Sequence, residues 1–288
     1  MNIRGTAVVL GLLAGPGLMT AAVLQDQTLD AWNQYIHQAR SRMLECVRAH
    51  GPFLSIDETS GPRSRVRAGE IMVAPVGSRH PKHVPSGLIH DWIGTVFLPG
   101  ATLDDTMAVV RDYNHYKDYY RPLIIDSKSL GSEGGAEKFS LVVVNKTLFS
   151  QVALHSEFDD SYVRLDPRRW YSIGASESVR EIEDYGGPSA HELAPNEGKG
   201  YIWRLYSLSK FEESDGGVYV EREVMALSRD IPAALRWLVD PIVNRLSRSS
   251  LSTSLEQTRQ AVLGNIQASR KDSRRMLASH RVPESRDE

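Results

Sequence analysis

The sequence predicts an α+β fold in which a strongly curved antiparallel sheet of about seven strands wraps around one long C-terminal helix. Three observations predict it. From Leu88 onward, apolar residues recur mostly at every second position, in runs separated by turn residues. One short helical stretch interrupts these runs after the first of them. The period then changes for good near "SRDIPAALRWLVDPIVNRL", where an amphipathic helix begins.

The chain opens with "MNIRGTAVVLGLLAGPGLMTAAVLQDQ". One Arg, an apolar run from Thr6 and small residues at Thr20, Ala21 and Ala22 read as a secretory signal cut near Ala22. The alternative is an uncleaved anchor, although Gly15-Pro16-Gly17 interrupts the run. A single cysteine, Cys46, excludes an internal disulfide and a multi-cysteine metal site, and suits an exported chain.

Residues 23–87 form the second segment. Leu29, Trp32, Ile36, Ala39, Met43 and Cys46 make one apolar stripe, which predicts a helix from Thr28 to Ala49 docked on the main domain. Cys46 falls on its buried edge as a packing residue. From Gly51 to Gly87 the chain is rich in Pro, Gly, Ser and Arg, with one short strand expected in "VRAGEIMVAPV". His80 and His83 lie in a proline-bent loop without nearby carboxylates, which reads as a solvated loop and not a metal site.

The main domain spans 88–267. "LIHDWIGTVFLPG" is its first strand and stops at Pro99-Gly100. Thr102 and Asp105 form a capping-box pattern, and Val109, Tyr113, Tyr116 and Tyr120 give the following helical pair an aromatic face. Arg121-Pro122 ends the pair, and Asn114 divides it. Further strands are expected in "LIIDSKSL", "EKFSLVVVNKT", "QVALHSEFDDSYVRL", "RRWYSIGASESVREIE", "YIWRLYSLSKFEE" and "GVYVEREVMALS". Hairpin turns fall at "GSEGG", "DPR" and "SDGG". Asp240-Pro241 is read as a helix restart, with Asp as N-cap and Pro at the first position. Ile242, Leu246, Leu251, Leu255, Thr258 and Val262 extend its apolar stripe, and residues 268–288 make a charged, frayed tail. A bent sheet around one helix does not close completely, so a cavity between them is expected.

This order, with "VVRDYNHYKDYYRPLIIDSKSL" after the first strand and "DGGVYVEREVMALSRDIPAALRWLVDPIVNRL" at the end, resembles the START-like superfamily (SRPBCC, polyketide cyclase and lipid-transfer type, the helix-grip fold). The resemblance covers about Leu88 to Gln267. It implies that the C-terminal helix grips the sheet and that the interior takes a hydrophobic small molecule or lipid. Contact with a membrane surface goes with a lipid ligand. The N-terminal helix and arm are not part of the minimal fold and are expected over the cavity mouth or a sheet edge.

Strand alternation sharpens the site. Val218, Val220, Arg222 and Val224 share one face of their strand, and Tyr219, Glu221, Glu223 and Met225 share the other. In the partner strand Ile202, Arg204, Tyr206 and Leu208 alternate with Tyr201, Trp203, Leu205 and Ser207. An inward set containing Arg222 and Arg204 would make a greasy cavity with a cationic spot, leaving Glu221 and Glu223 in solvent. An inward arginine then needs a carboxylate or an anionic ligand group; the alternative is cross-strand ion pairing on a solvated face. The ligand-binding candidates are Tyr113, Tyr116, Tyr120, Trp170, Trp203, Arg204, Tyr206, Arg222 and Met225. The three tyrosines are expected between ligand and water, with hydrated hydroxyls, or else as seats for the helical pair.

Lys plus Arg total 34 against 36 for Asp plus Glu, which argues against a nucleic-acid partner. No P-loop, dinucleotide fingerprint, HExxH or GxSxG is present, so no cofactor, metal or catalytic residue is assigned. His155 and Glu157, with Arg164 or Tyr162, are the residues a cavity enzyme would use, and Asp159, Asp160 and Asp166 the ones a cation would use. The plain readings are a polar strand face and turn aspartates. Three functions follow in order: an exported non-catalytic carrier or sensor of a hydrophobic molecule, a cavity enzyme of the polyketide cyclase or hydrolase type, and a structural or interaction domain with a filled core. The oligomeric state is not read from the sequence. Export predicts that intact-mass analysis of the protein from its own host finds a start near Val23; recovery of the full-length chain in the cytosol contradicts it.

Overall fold

In the computed structural model, residues 23–49, 51–78, 80–146 and 151–279 are described. The segment read as an export signal, residues 1–22, lies outside them. No helix of the described residues is long and apolar enough to cross a membrane.

The expected helix-grip arrangement is present. Strands β3 (Gly87–Pro99), β4 (Ile124–Glu133), β5 (Ala136–Lys146), β6 (Gln151–Asp166), β7 (Arg169–Glu183), β9 (Arg204–Ser214) and β10 (Gly217–Arg229) form the body of the sheet. Short strands β1 (Met72–Pro75), β2 (Lys82–Val84) and β8 (His191–Glu192) are added to it. The order is β1-β3-β10-β9-β7-β6-β5-β4, with β2 also on β3 and β8 on β7. All pairings are antiparallel, because short turns return the chain alongside itself.

Helices are numbered α1 (Asp26–Arg48), α2 (Pro62–Arg67), α3 (Leu103–Val110), α4 (Tyr116–Tyr119) and α5 (Ala233–Ser279). The capping box at Thr102 and Asp105 forms as expected and starts α3. A short 3-10 turn at Tyr113–His115 separates α3 from α4.

Three local expectations change. The stretch expected as one strand around Val66–Val76 splits, because Pro62 starts helix α2 and only Met72–Pro75 is extended. The C-terminal helix does not restart at Pro241: it is continuous from Ala233, with Pro241 inside it. It also continues through the charged segment to Ser279.

The concave face of the sheet grips α5. Trp92, Val96, Leu98, Phe211, Val218 and Val220 pack against Leu251, Leu255 and Val262. Gly94 makes that approach possible: a Cβ there would lie 2.7 Å from Leu255 Cδ1.

Over β3, β10 and β9 the convex face is not solvated, contrary to the expectation for Glu221 and Glu223. Helix α1 and the arm after it cover β3, β10 and β9. Trp32, Ala39 and Met43 of α1 pack on Ile89, Trp203, Tyr206, Leu208, Met225 and Leu227, with Ile36 at the margin. Phe53, Leu54, Ile56 and Val66 pack on Phe97 and Tyr219. These strands are therefore apolar on both faces, and the polar residues between them need internal partners.

Glu221 is 2% exposed and has them. Lys210 Nζ lies 3.0 Å from its Oε1, and the Ser55 backbone N–H and hydroxyl donate to Oε2 at 2.8 and 2.5 Å. Arg63 bolts the arm at a second point: it donates to Asp57 (2.9 and 2.8 Å), Glu212 (2.7 Å) and Asp215 (3.0 Å), and stacks over the Tyr219 ring at 4.3 Å. These acidic partners hold the Arg63 guanidinium well above its usual range against the opposing effect of burial.

Because α1 buries Trp32 to 3% exposure, Trp32→Ala is expected to cost about 3 kcal/mol of stability, read as a lower chemical-denaturation midpoint. An unchanged midpoint would mean that α1 is a loose tether.

Candidate functional site

Between the concave face, α4 and α5 lies a cavity of about 360 Å³. One wall is apolar: Ile124 of β4, Phe139 and Leu141 of β5, Phe158 of β6, Val224 of β10 and Leu246 of α5. The opposite wall carries hydroxyls. Ser172 of β7 and Ser207 and Ser209 of β9 face Ser249, Ser250, Thr253 and Ser254 of α5. Pro122, Ser249, Ser250 and Thr253 are exposed lining residues, so the mouth lies between α5 and the loop after α4. Gln257 Nε2 donates to the Arg121 carbonyl at 2.5 Å beside that mouth.

Two charged groups reach this interior. Arg222 enters from β10, where it pairs with Gly94 on one side and Ser209 on the other. Its Nε donates to Ser209 Oγ at 3.2 Å, and among the described residues it forms no salt bridge. Burial works to lower the Arg222 guanidinium; Tyr120, Tyr116, Tyr162 and Asp160 reverse that, and the net direction is upward. Asp160 enters from β6 opposite Gly174 of β7. Burial pushes its carboxyl up to about 6, against the lowering effects of Arg222 and the Tyr162 hydroxyl. Arg222 therefore stays cationic, while Asp160 titrates closer to neutrality than an ordinary carboxyl.

Gly174 is what lets Asp160 point inward. A Cβ at Gly174 would collide with Asp160 Oδ1 and lie 2.6 Å from Ser207 Oγ. Sequence reasoning missed Asp160 as a cavity group, along with the serines. The signal was present as small residues at alternate inward positions, Ser172, Gly174, Ser207 and Ser209, in strands otherwise built of large ones, and as the hydroxyl run "SRSSLSTS" on α5.

The predicted site residues separate into groups. Tyr116, Tyr120 and Arg222 line the cavity. Tyr113 lies behind that wall, its ring stacked on Phe139 with centroids 4.0 Å apart. The tyrosine hydroxyls are not hydrated as expected: Tyr116 donates to the Val110 carbonyl at 2.5 Å, Tyr120 meets Thr258 Oγ1 at 3.0 Å, and Tyr113 donates to Glu137 at 3.1 Å. They seat α4 and its neighbours while two rings form cavity wall. Trp170 packs against the concave-face core and borders a separate open groove near α3.

Arg204, Tyr206, Trp203 and Met225 are away from the cavity. Ser207 and Ser209 face inward, so Arg204, Tyr206 and Leu208 face the other way; Trp203, Tyr206 and Met225 are buried under α1. The two arginines thus do not share a face. Arg204 instead donates to the Trp203 carbonyl at 2.7 Å.

His155 and Glu157 are also outside the cavity. His155 meets Glu192 at 2.7 Å, and Glu157 meets Arg180 at 3.3 Å. Asp159 pairs with Lys138 (3.7 Å) and Asp166 with Arg169 (2.7 Å), while Asp160 points the other way. Among the described residues no group of three potential metal ligands forms. His80 packs edge-on to Trp92 at 4.7 Å and is partly enclosed rather than solvated.

No protein-family model matches the chain, and comparison with curated proteins finds no match. Among solved structures, the chain is similar to a STAR-related lipid transfer protein from Xanthomonas axonopodis, at 17% identity over 66% of this chain and 98% of that one, with a TM-score of 0.41. It is similar to human STARD10, at 10% identity over 77% and 86% of the two chains, with a TM-score of 0.44. It is also similar to the Zhui aromatase/cyclase from Streptomyces, at 17% identity over 60% and 96%, with a TM-score of 0.36.

Gly174→Ala is expected to displace the Asp160 carboxylate and lower stability by about 2 kcal/mol, measured by denaturant unfolding. A change within about 0.5 kcal/mol would show that the strands relax around the methyl group.

Proposed function

We propose that this protein is an exported, non-catalytic carrier or sensor that binds a mostly apolar molecule or lipid in the cavity under α5. The observation that carries the reading is the cavity itself: an apolar wall facing a hydroxyl wall, with an Arg222 guanidinium that has no salt-bridge partner among the described residues. A cation held inside protein costs free energy unless an opposite charge meets it. A carboxylate or phosphate at one end of the ligand supplies that charge, and the hydroxyls on α5 and β9 serve its remaining acceptors. The tail then lies along Ile124, Leu141 and Phe158. The first residues of the chain support export by their signal-like pattern.

A cavity enzyme is the second reading, and Asp160 is the observation that favours it. A carboxyl pushed up to about 6 beside a fixed cation is placed for proton transfer. Against this, among the described residues the cavity wall holds no histidine, cysteine or lysine, and Tyr116 and Tyr120 have their hydroxyls engaged elsewhere.

Native mass spectrometry of protein purified from its own host, followed by extraction, is expected to find a bound acidic lipid-like molecule unchanged by incubation. Arg222→Met is expected to weaken binding of that molecule by about tenfold or more while the protein remains folded. The wild type is expected to bind an anionic ligand more tightly below about pH 6, where Asp160 gains a proton and stops opposing the ligand's charge. An empty protein, or Arg222→Met with wild-type affinity, would contradict the proposal, and conversion of the extracted molecule would favour the enzyme.

A further inference from the structure

The contact between α1 and the convex face contains a second polar cluster that the cavity does not use. Asp91 of β3 and Glu223 of β10 sit on that face. Asp91 pairs across the strands with Met225 and Glu223 with Ile93, so the two carboxyls are diagonal neighbours on that face. Two carboxylates have no proton to donate, so the pair can form a hydrogen bond between its members only while it holds one proton. Asp91 Oδ1 and Glu223 Oε1 are buried, and among the described residues neither has a hydrogen-bond partner.

The surrounding charges leave the pair one cation short of neutrality. Tyr35 of α1 donates to Asp91 Oδ2 at 2.8 Å. Arg42 of α1 reaches within 3.6 Å of Glu223 Oε1, but its side chain is half exposed. Lys210 of β9 is the remaining nearby cation, and Glu221 already engages it at 3.0 Å. Lys82 of β2 lies over the Tyr35 ring at 4.5 Å instead of on a carboxylate. Cys46 of α1 is 3.9 Å from Lys210 Nζ and donates toward the Pro52 carbonyl. Two carboxyls therefore face one half-solvated guanidinium across the α1 interface.

We propose that α1 is a detachable cover, held on the convex face by a proton shared between Asp91 and Glu223 and released when that proton is lost. With both groups ionised, two like charges would lie against each other in a nearly dry interface, and undocking α1 returns them to water. Tyr35 and Arg42 leave with the helix, so the undocked face loses the partners that make the pair tolerable. Ile89, Tyr206, Leu208, Met225 and Leu227 are the residues then uncovered. The arm after α1 stays, because Arg63 and Ser55 anchor it through separate carboxylates.

The sign of the pH dependence follows from burial. Burial pushes Asp91 up to about 6, with Tyr35 pulling it back, and burial with the neighbouring Asp91 charge pushes Glu223 up to about 8. In the undocked state both carboxyls return to the ordinary range near 4. Docking is therefore fully favoured below that range and weakens as pH rises toward 8, by up to about tenfold per pH unit for the shared proton.

The test uses the full chain labelled with fluorotryptophan, with the Trp32 resonance assigned by Trp32→Phe. Fluorine NMR from about pH 5.5 to about pH 8.5 reads the docked and undocked populations of α1. The wild type is expected to shift toward the undocked resonance as pH rises. Glu223→Gln, which donates its own hydrogen bond to Asp91, is expected to stay docked and lose most of the slope. Asp91→Asn is a second route to the same result. A Trp32 resonance independent of pH in the folded wild type, or an equal slope in the Gln and Asn variants, would overturn the proposal.

Discussion

The buried Lys210–Glu221 pair, tied to the backbone of Ser55, is the interaction on which the rest of the molecule depends. It sits in the middle of a strand pair that has no solvent face, and it is acceptable only because every oxygen of Glu221 is met by a donor. Those donors come from β9, β3 and the N-terminal arm. Remove the arm and the carboxylate loses its Ser55 donors while Tyr219 and Phe97 lose their apolar cover. The convex face of β3, β10 and β9 is thus completed by sequence that precedes them, while on the concave face internal space remains.

The concave face is divided by residue size. Toward Leu98 and Val220 large side chains meet Leu255 and Val262, and the interior is packed. Toward Ser207, Ser209 and Ser172 small residues leave room, and Arg222 and Asp160 occupy part of it. Gly94 and Gly174 mark the two regimes. The first allows α5 to approach the sheet, and the second allows a carboxylate to cross a strand. Packing and cavity are consequences of the same sheet, separated by which inward positions carry a side chain.

Much of this was legible in the sequence. The seven main strands, the capped helix at Thr102 and the docked stripe of α1 follow from periodicity, because each element has one strongly apolar face or two-residue alternation. That Arg222 shares a face with Val218 and Val220 follows too, although the sequence left its inward direction open against a solvated face. The outward direction of Arg204 and Tyr206 did not follow, because strand alternation fixes faces within a strand but not the register between β9 and β10. Pairing Arg222 with Ser209 rather than with Leu208 decides the matter. The buried state of Glu221 was hidden for another reason. A charged residue at an outward position reads as solvated unless the covering segment is known, and that segment lies far away in the chain.

The account rests on the claim that an apolar ligand enters the concave cavity and not the apolar interface under α1. The direct measurement is isotope-filtered NMR of the protein mixed with carbon-labelled lauric acid, recording contacts between ligand and side-chain protons. The account predicts contacts from the ligand to Ile124, Leu141, Val224 and Leu246. Contacts instead to Ile89, Leu208 and Leu227, or none from a saturating ligand, would contradict it.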